Sequence, residues 1–173
     1  MSVFKAVTVL IIAAVLAGCG DNPVSSEKTV SAEKADETLC RDAMGVIVSD
    51  AWIRSSRAGQ PTSAAYLTLT NCGDEDEALI AVSYAGADAI ELHATAMSSD
   101  GVASMTQEKT IAIAAGDTIS LKPGAGHIML ISLTEAVVVG ADPALTLEFE
   151  KAETLNVIFE VRDAMSGDDH STH

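Results

Sequence analysis

Residues 122–133 read KPGAGHIMLISL, and the fold class follows from how this dozen is parsed. Lys122-Pro123-Gly124-Ala125-Gly126 is a run of small turn residues that closes one element and opens another. From His127 onward the chain alternates. Residues two apart on a strand share a face, so His127 and Met129 point one way while Ile128 and Leu130 point the other. The turn ahead of this strand places His127 at the rim of a barrel rather than in its middle.

Short strands of the same kind extend outward from this segment in both directions, with almost no run of helical period. They are expected at Gly45 to Ile53, Ala64 to Asn71, Ala78 to Tyr84, Ala89 to Ala94, Val102 to Gln107, Thr110 to Ile113, Thr118 to Leu121, His127 to Leu133, Leu145 to Glu150 and Thr154 to Val161. Ala58-Gly59-Gln60-Pro61, Asn71-Cys72-Gly73-Asp74, Ser99-Asp100-Gly101 and Ala115-Gly116-Asp117 separate them as turns. Many short strands at this spacing predict an all-β fold, an antiparallel sandwich or Greek-key barrel. No internal repeat is evident.

The composition sets the outer limits. A chain of 173 residues with 48% hydrophobic content can build the core of one domain. With only Trp52, two Tyr and three Phe, that core is largely Val, Ile, Leu and Ala. The formal charge of −15 argues against nucleic acid as a partner, because phosphate binding needs a basic surface. It suits a soluble protein able to accept a cation.

The first eighteen residues read as a targeting segment. Lys5 is a basic n-region, Ala6 to Leu16 is an apolar run short for a membrane span, and Leu16-Ala17-Gly18-Cys19 looks like a bacterial lipobox. Cleavage before Cys19 and lipidation of that residue would anchor the protein to a membrane in the periplasm or cell envelope. Gly20 after the cysteine favours the outer membrane in enteric-type sorting. Residues 19–39 then form a lipidated cysteine and a flexible tether, rich in Ser, Glu, Lys, Asp and Ala, which extended would reach about 70 Å at roughly 3.5 Å per residue. The β domain is expected over 40–163. With Cys19 committed to lipid, Cys40 and Cys72 remain as an even pair in an exported protein, a candidate disulfide; free thiols or a soft metal site are the alternatives.

Between His93 and Met129 the chain gathers two of its four histidines and three of its six methionines. Neutral imidazoles with thioethers, no thiolate and no obvious carboxylate among them, form a soft ligand set that favours Cu(I). Each of these residues taken singly is an ordinary core or structural residue; their grouping carries the reading. His93 and Met97 share a strand face, and the turn near Ser99 returns the chain so that Met105 lies across from residues near Thr95. The hairpin register decides whether Met105 joins the face of His93 or the opposite one.

These residues resemble the marker motif of the periplasmic copper chaperones called PCuAC: a His or Met, ten residues, a Met, twenty-one residues, then His-x-Met. Met105 and His127 are separated by twenty-one residues and His127-Ile128-Met129 completes the motif. His93 and Met105 are separated by eleven residues, which looks like one extra residue in the Ser98 to Gly101 turn. Met97 adds an alternative thioether. The likeness runs over Val46 to Val161 and includes Asp50-Ala51-Trp52-Ile53-Arg54, Ala64 to Asn71 and Glu91-Leu92-His93. It implies a cupredoxin-like Greek-key barrel that binds Cu(I) through His93, Met105, His127 and Met129. It also implies delivery of copper to the dinuclear CuA site of cytochrome c oxidase, directly or with a Sco-type partner.

No proton-transfer dyad, activated nucleophile or phosphate loop is evident, so no catalysis is expected. Two other readings stand beside the copper chaperone. An electron-transfer cupredoxin needs a Cys thiolate, and none lies between His93 and Met129. A metal-free surface sandwich would use the same residues for packing. The tail over 164–173 carries Met165, His170 and His173 and reads either as inert or as a second, weaker copper site, there for Cu(II).

Overall fold

The computed structural model describes residues 31–34, 40, 45–97 and 103–163. The expected signal segment, Cys19, most of the tether, residues 98–102 with the turn expected at Ser99-Asp100-Gly101, and the tail with Met165, His170 and His173 lie outside the described residues. Within them the chain forms twelve strands and no helix: β1 Ser31–Lys34, β2 Val46–Arg54, β3 Thr62–Asn71, β4 Glu77–Ser83, β5 Ala87–Met97, β6 Ala103–Glu108, β7 Ile111–Ile113, β8 Asp117–Leu121, β9 His127–Leu133, β10 Ala144–Phe149, β11 Leu155–Ile158 and β12 Glu160–Arg162.

β3 is the axis of the larger sheet. β2 pairs along one of its edges, while the other edge is shared: Leu67–Thr70 pair with β8 and Thr62–Ala65 with β9. The sheet therefore forks at Tyr66, one branch running β8-β1 and the other β9-β5-β6. A second sheet in the order β11-β10-β4-β7 packs over it. Strand alternation turns Leu67, Leu69, Ile128 and Leu130 from the first sheet against Leu145 and Leu147 from the second, all at 1% exposure or less. Each such side chain contributes about 1.5–3 kcal/mol relative to leaving it in water.

Two departures from simple alternation shape the outer face. In β2 the pairing slips by one residue between Ser49 and Trp52, and Asp50 takes φ of 46°, a left-handed conformation that Asp tolerates. An unbroken strand would carry Trp52 on the same face as Val48. The bulge moves Trp52 outward to pair with Tyr66 and keeps Ile53 inside at 0% exposure. At the other end, the segment expected as one strand over Thr154 to Val161 is two. β11 pairs with β10 in the second sheet and β12 pairs in parallel with β2 in the first. The chain changes sheets at Phe159, which is fully buried and whose backbone N–H donates to Pro143 O at 2.9 Å.

The second sheet is fastened by Glu77. Its carboxylate accepts from the backbone N–H groups of Ala78 at 2.8 Å, Lys151 at 3.1 Å and Ala152 at 2.7 Å. It thereby satisfies the turn between β10 and β11. A disulfide joins Cys40 to Cys72 with Cα atoms 5.3 Å apart and a sequence separation of 32. A closed loop of that length contributes about 3–4 kcal/mol by chain entropy. One boundary is corrected: Ser31–Lys34, within the stretch read as tether, forms β1 and pairs antiparallel with Asp117–Ser120 of β8. It completes the edge that β8 would otherwise leave open.

Candidate metal centre

The outer face of the first sheet carries the soft donors and sets two of them, His93 and His127, side by side. On β5 the core takes Leu92 and Ala94 at 6% and 2% exposure, so Glu91, His93 and Thr95 face outward. On β9 the core takes Ile128 and Leu130, so His127 and Met129 face outward. The register places His93 directly opposite His127 and Glu91 opposite Met129. The two imidazole rings lie 5.1 Å apart between centroids, inclined by 53°. Pairing between β5 and β6 runs without a shift from Leu92–Glu108 to Met97–Ala103 and sets Met105 across from Thr95. Met105 is thus on the face of His93, and it is the most open of the group at 66% exposure. Met97 is the last residue of β5, paired in backbone register with Ala103.

His127 opens β9, but not at a rim. β9 begins opposite the middle of β3, beside Tyr66, in the fork of the sheet. The Lys122–Gly126 turn fills that fork and is held there by Thr95, whose hydroxyl donates to Ala125 O at 2.8 Å. Half-burial pushes the pKa of His127 below the ordinary imidazole range. A hydrogen bond to the Ala125 backbone acts in the opposite direction, and the charges of His93 and Arg54 add to the lowering. The neutral, lone-pair-bearing ring is the form a metal needs.

Behind His127 an aromatic row crosses the sheet. Tyr66 lies 6.4 Å from His127 between ring centroids, Trp52 lies 4.4 Å from Tyr66, and the Arg162 guanidinium sits 5.4 Å over Trp52. Arg162 is in turn held by Asp50 at 2.9 Å and Glu160 at 2.8 Å. Burial raises the Tyr66 phenol, with nearby Arg54 acting against it.

The donor chemistry fits a soft ion. Among the described residues no group of three or more His, Cys, Asp or Glu is placed to hold a metal. Two imidazoles and two thioethers stand on one outward face, with the Glu91 carboxylate beside His93. Cys40 and Cys72 are bonded to each other and supply no thiolate to a blue-copper site. The donor set expected without an obvious carboxylate has one beside it. Glu91 Oε2 lies 2.9 Å from His93 Nε2. The spacing of Glu91 and His93 by two residues was the available signal.

The description "Putative lipoprotein LpqE-like" belongs to the family model that matches residues 46–161. The chain is 31% identical over 160 residues to the putative lipoprotein Lxx21020 of Leifsonia xyli subsp. xyli (strain CTCB07), covering 92% of this chain and 89% of that one. Among solved structures, the copper-bound PCuAC domain from PmoF2 superposes with a TM-score of 0.60 at 23% identity, over 70% of this chain and 96% of that domain. Apo-DR1885 from Deinococcus radiodurans gives a TM-score of 0.55 at 26% identity, over 93% of this chain and 100% of the other. The CuI form of DR1885 gives 0.54 at 27%, over 69% and 78%. The sandwich is the cupredoxin-like one of PCuAC domains.

Proposed function

The chain belongs to the LpqE-like family of putative lipoproteins, and from that premise we propose that it is an envelope copper chaperone that carries Cu(I). His93, His127, Met105 and Met129 are the proposed ligands. The observation that supports this most is the cross-strand pair His93 and His127, with imidazoles 5.1 Å apart on an outward face that also bears Met129 and Met105. A neutral donor set leaves Cu(I) its single charge, and thioethers favour that oxidation state. The openness of Met105 gives an incoming ligand a route to the ion, which suits a protein that must release its cargo. The solved relative DR1885 in its CuI form is consistent with this reading.

Anchoring through lipid on Cys19 would keep the carrier at a membrane of the envelope. Delivery to the CuA centre of cytochrome c oxidase, directly or with a Sco-type protein, is the finer step we assign to it. The first test is anaerobic titration with Cu(I) against a colorimetric chelator. One ion per chain should bind, and His127→Ala or Met105→Ala should each weaken binding by at least the roughly 10–100-fold typical of losing a supporting contact. Because these side chains lie outside the core, circular dichroism should not change. Affinity equal to wild type in both variants would refute the ligand assignment. Delivery is tested by mixing the loaded protein with a soluble CuA domain and following the absorption of the assembled centre.

A further inference from the structure

Glu91 precedes His93 by two positions on β5, so both side chains stand on the outer face. Its Oε2 is 2.9 Å from His93 Nε2, and across the ladder Glu91 faces Met129. A carboxylate that is ionised can only accept, and a neutral His93 donating to it would carry its proton on Nε2 and its lone pair on Nδ1. We propose that Glu91 is the positioning residue of the copper centre, holding His93 as the Nε2–H form so that Nδ1 is the nitrogen presented to Cu(I). The inference rests on the copper reading above and names which atom of His93 performs it. A ligating histidine that donates its other N–H to a carboxylate is fixed in orientation and made more basic. Glu91 also brings a negative charge to a donor set that has none of its own.

Glu91 is a third exposed at its side chain, so replacing it leaves the core intact. The experiment uses the ¹⁵N-labelled full chain and long-range ¹H–¹⁵N correlation spectra of the imidazoles, before and after one equivalent of Cu(I). Metal-free His93 should show the Nε2–H pattern, and Cu(I) should move Nδ1 while Nε2 keeps its proton. Glu91→Ala should lose the tautomer preference and bind Cu(I) about 10–100-fold more weakly. Glu91→Gln, whose amide oxygen still accepts from Nε2–H, should keep the tautomer and recover most of the affinity. Cu(I) appearing on Nε2, or wild-type affinity in Glu91→Ala, overturns the proposal. A wild-type chain that takes up no Cu(I) overturns the copper reading itself, a result the first titration separates from the other two.

Discussion

Glu77 shows what one side chain can hold in place. Burial alone would raise its pKa, but the N–H groups of Ala78, Lys151, Ala152 and Glu150 together draw it below the ordinary carboxylate value of 4.5. A depressed carboxylate stabilises the fold above its unfolded pKa, and that stabilisation is lost as pH falls through the folded value. Glu77→Gln should therefore cost about 1–3 kcal/mol at pH 7, the usual penalty for leaving buried backbone donors poorly matched. Urea unfolding at pH 7 and pH 3 should show the gap between variant and wild type closing in acid; a constant gap would reject the account. The candidate ligands were legible to different depths at this same scale. His127 and Met129 follow from alternation alone. Placing Met105 needs the β5–β6 register, which depends on the turn between those strands and not on the strands themselves. Glu91 is legible within Glu91-Leu92-His93, but its contact with the imidazole depends on side-chain conformation that spacing does not fix.

Strands with one buried face announce themselves in a sequence; breaks between sheets do not. Leu155, Val157, Phe159 and Val161 keep a period of two straight through the crossing from β11 to β12. Both sheets face the same core, so the inward residues continue uninterrupted while the hydrogen-bonding partner changes. Phe159 is the pivot, and Phe159→Ala should destabilise the protein by about 3–5 kcal/mol, as for other fully buried aromatic truncations, measured by the denaturant midpoint. A cost below 1 kcal/mol would mean the crossing is held by its backbone bond to Pro143 instead. The bulge in β2 was hidden for a related reason. One inserted residue reverses the facing of everything beyond it, and nothing in Asp50-Ala51-Trp52 distinguishes a bulge from a regular strand until the partner Tyr66 is known.

Across the whole molecule, the start of the ordered sheet is what changes most. β1 was illegible because its strand character comes from the free edge of β8 and not from Ser-Ala-Glu-Lys. With the sheet beginning at Ser31, residues 20–30 are left between Cys19 and the fold. The Cys40–Cys72 bond ties this entry segment to the end of β3. Reduction, or the double change Cys40→Ser and Cys72→Ser, should lower stability by about 3–4 kcal/mol, read from guanidinium midpoints; an unchanged midpoint would count against the loop-closure account. The charge of −15 favours the arrival of cations by long-range attraction, a contribution independent of the donor set.

The aromatic row on the outer face has an optical consequence. Trp52 is the chain's single tryptophan; it lies against Tyr66, and Tyr66 lies beside His127. Light absorbed at the red edge of the protein spectrum therefore excites one indole, two ring contacts from an imidazole of the candidate centre. Its emission intensity and lifetime report on that one face of the molecule, so the protein carries an intrinsic fluorophore where an engineer would otherwise have attached a dye.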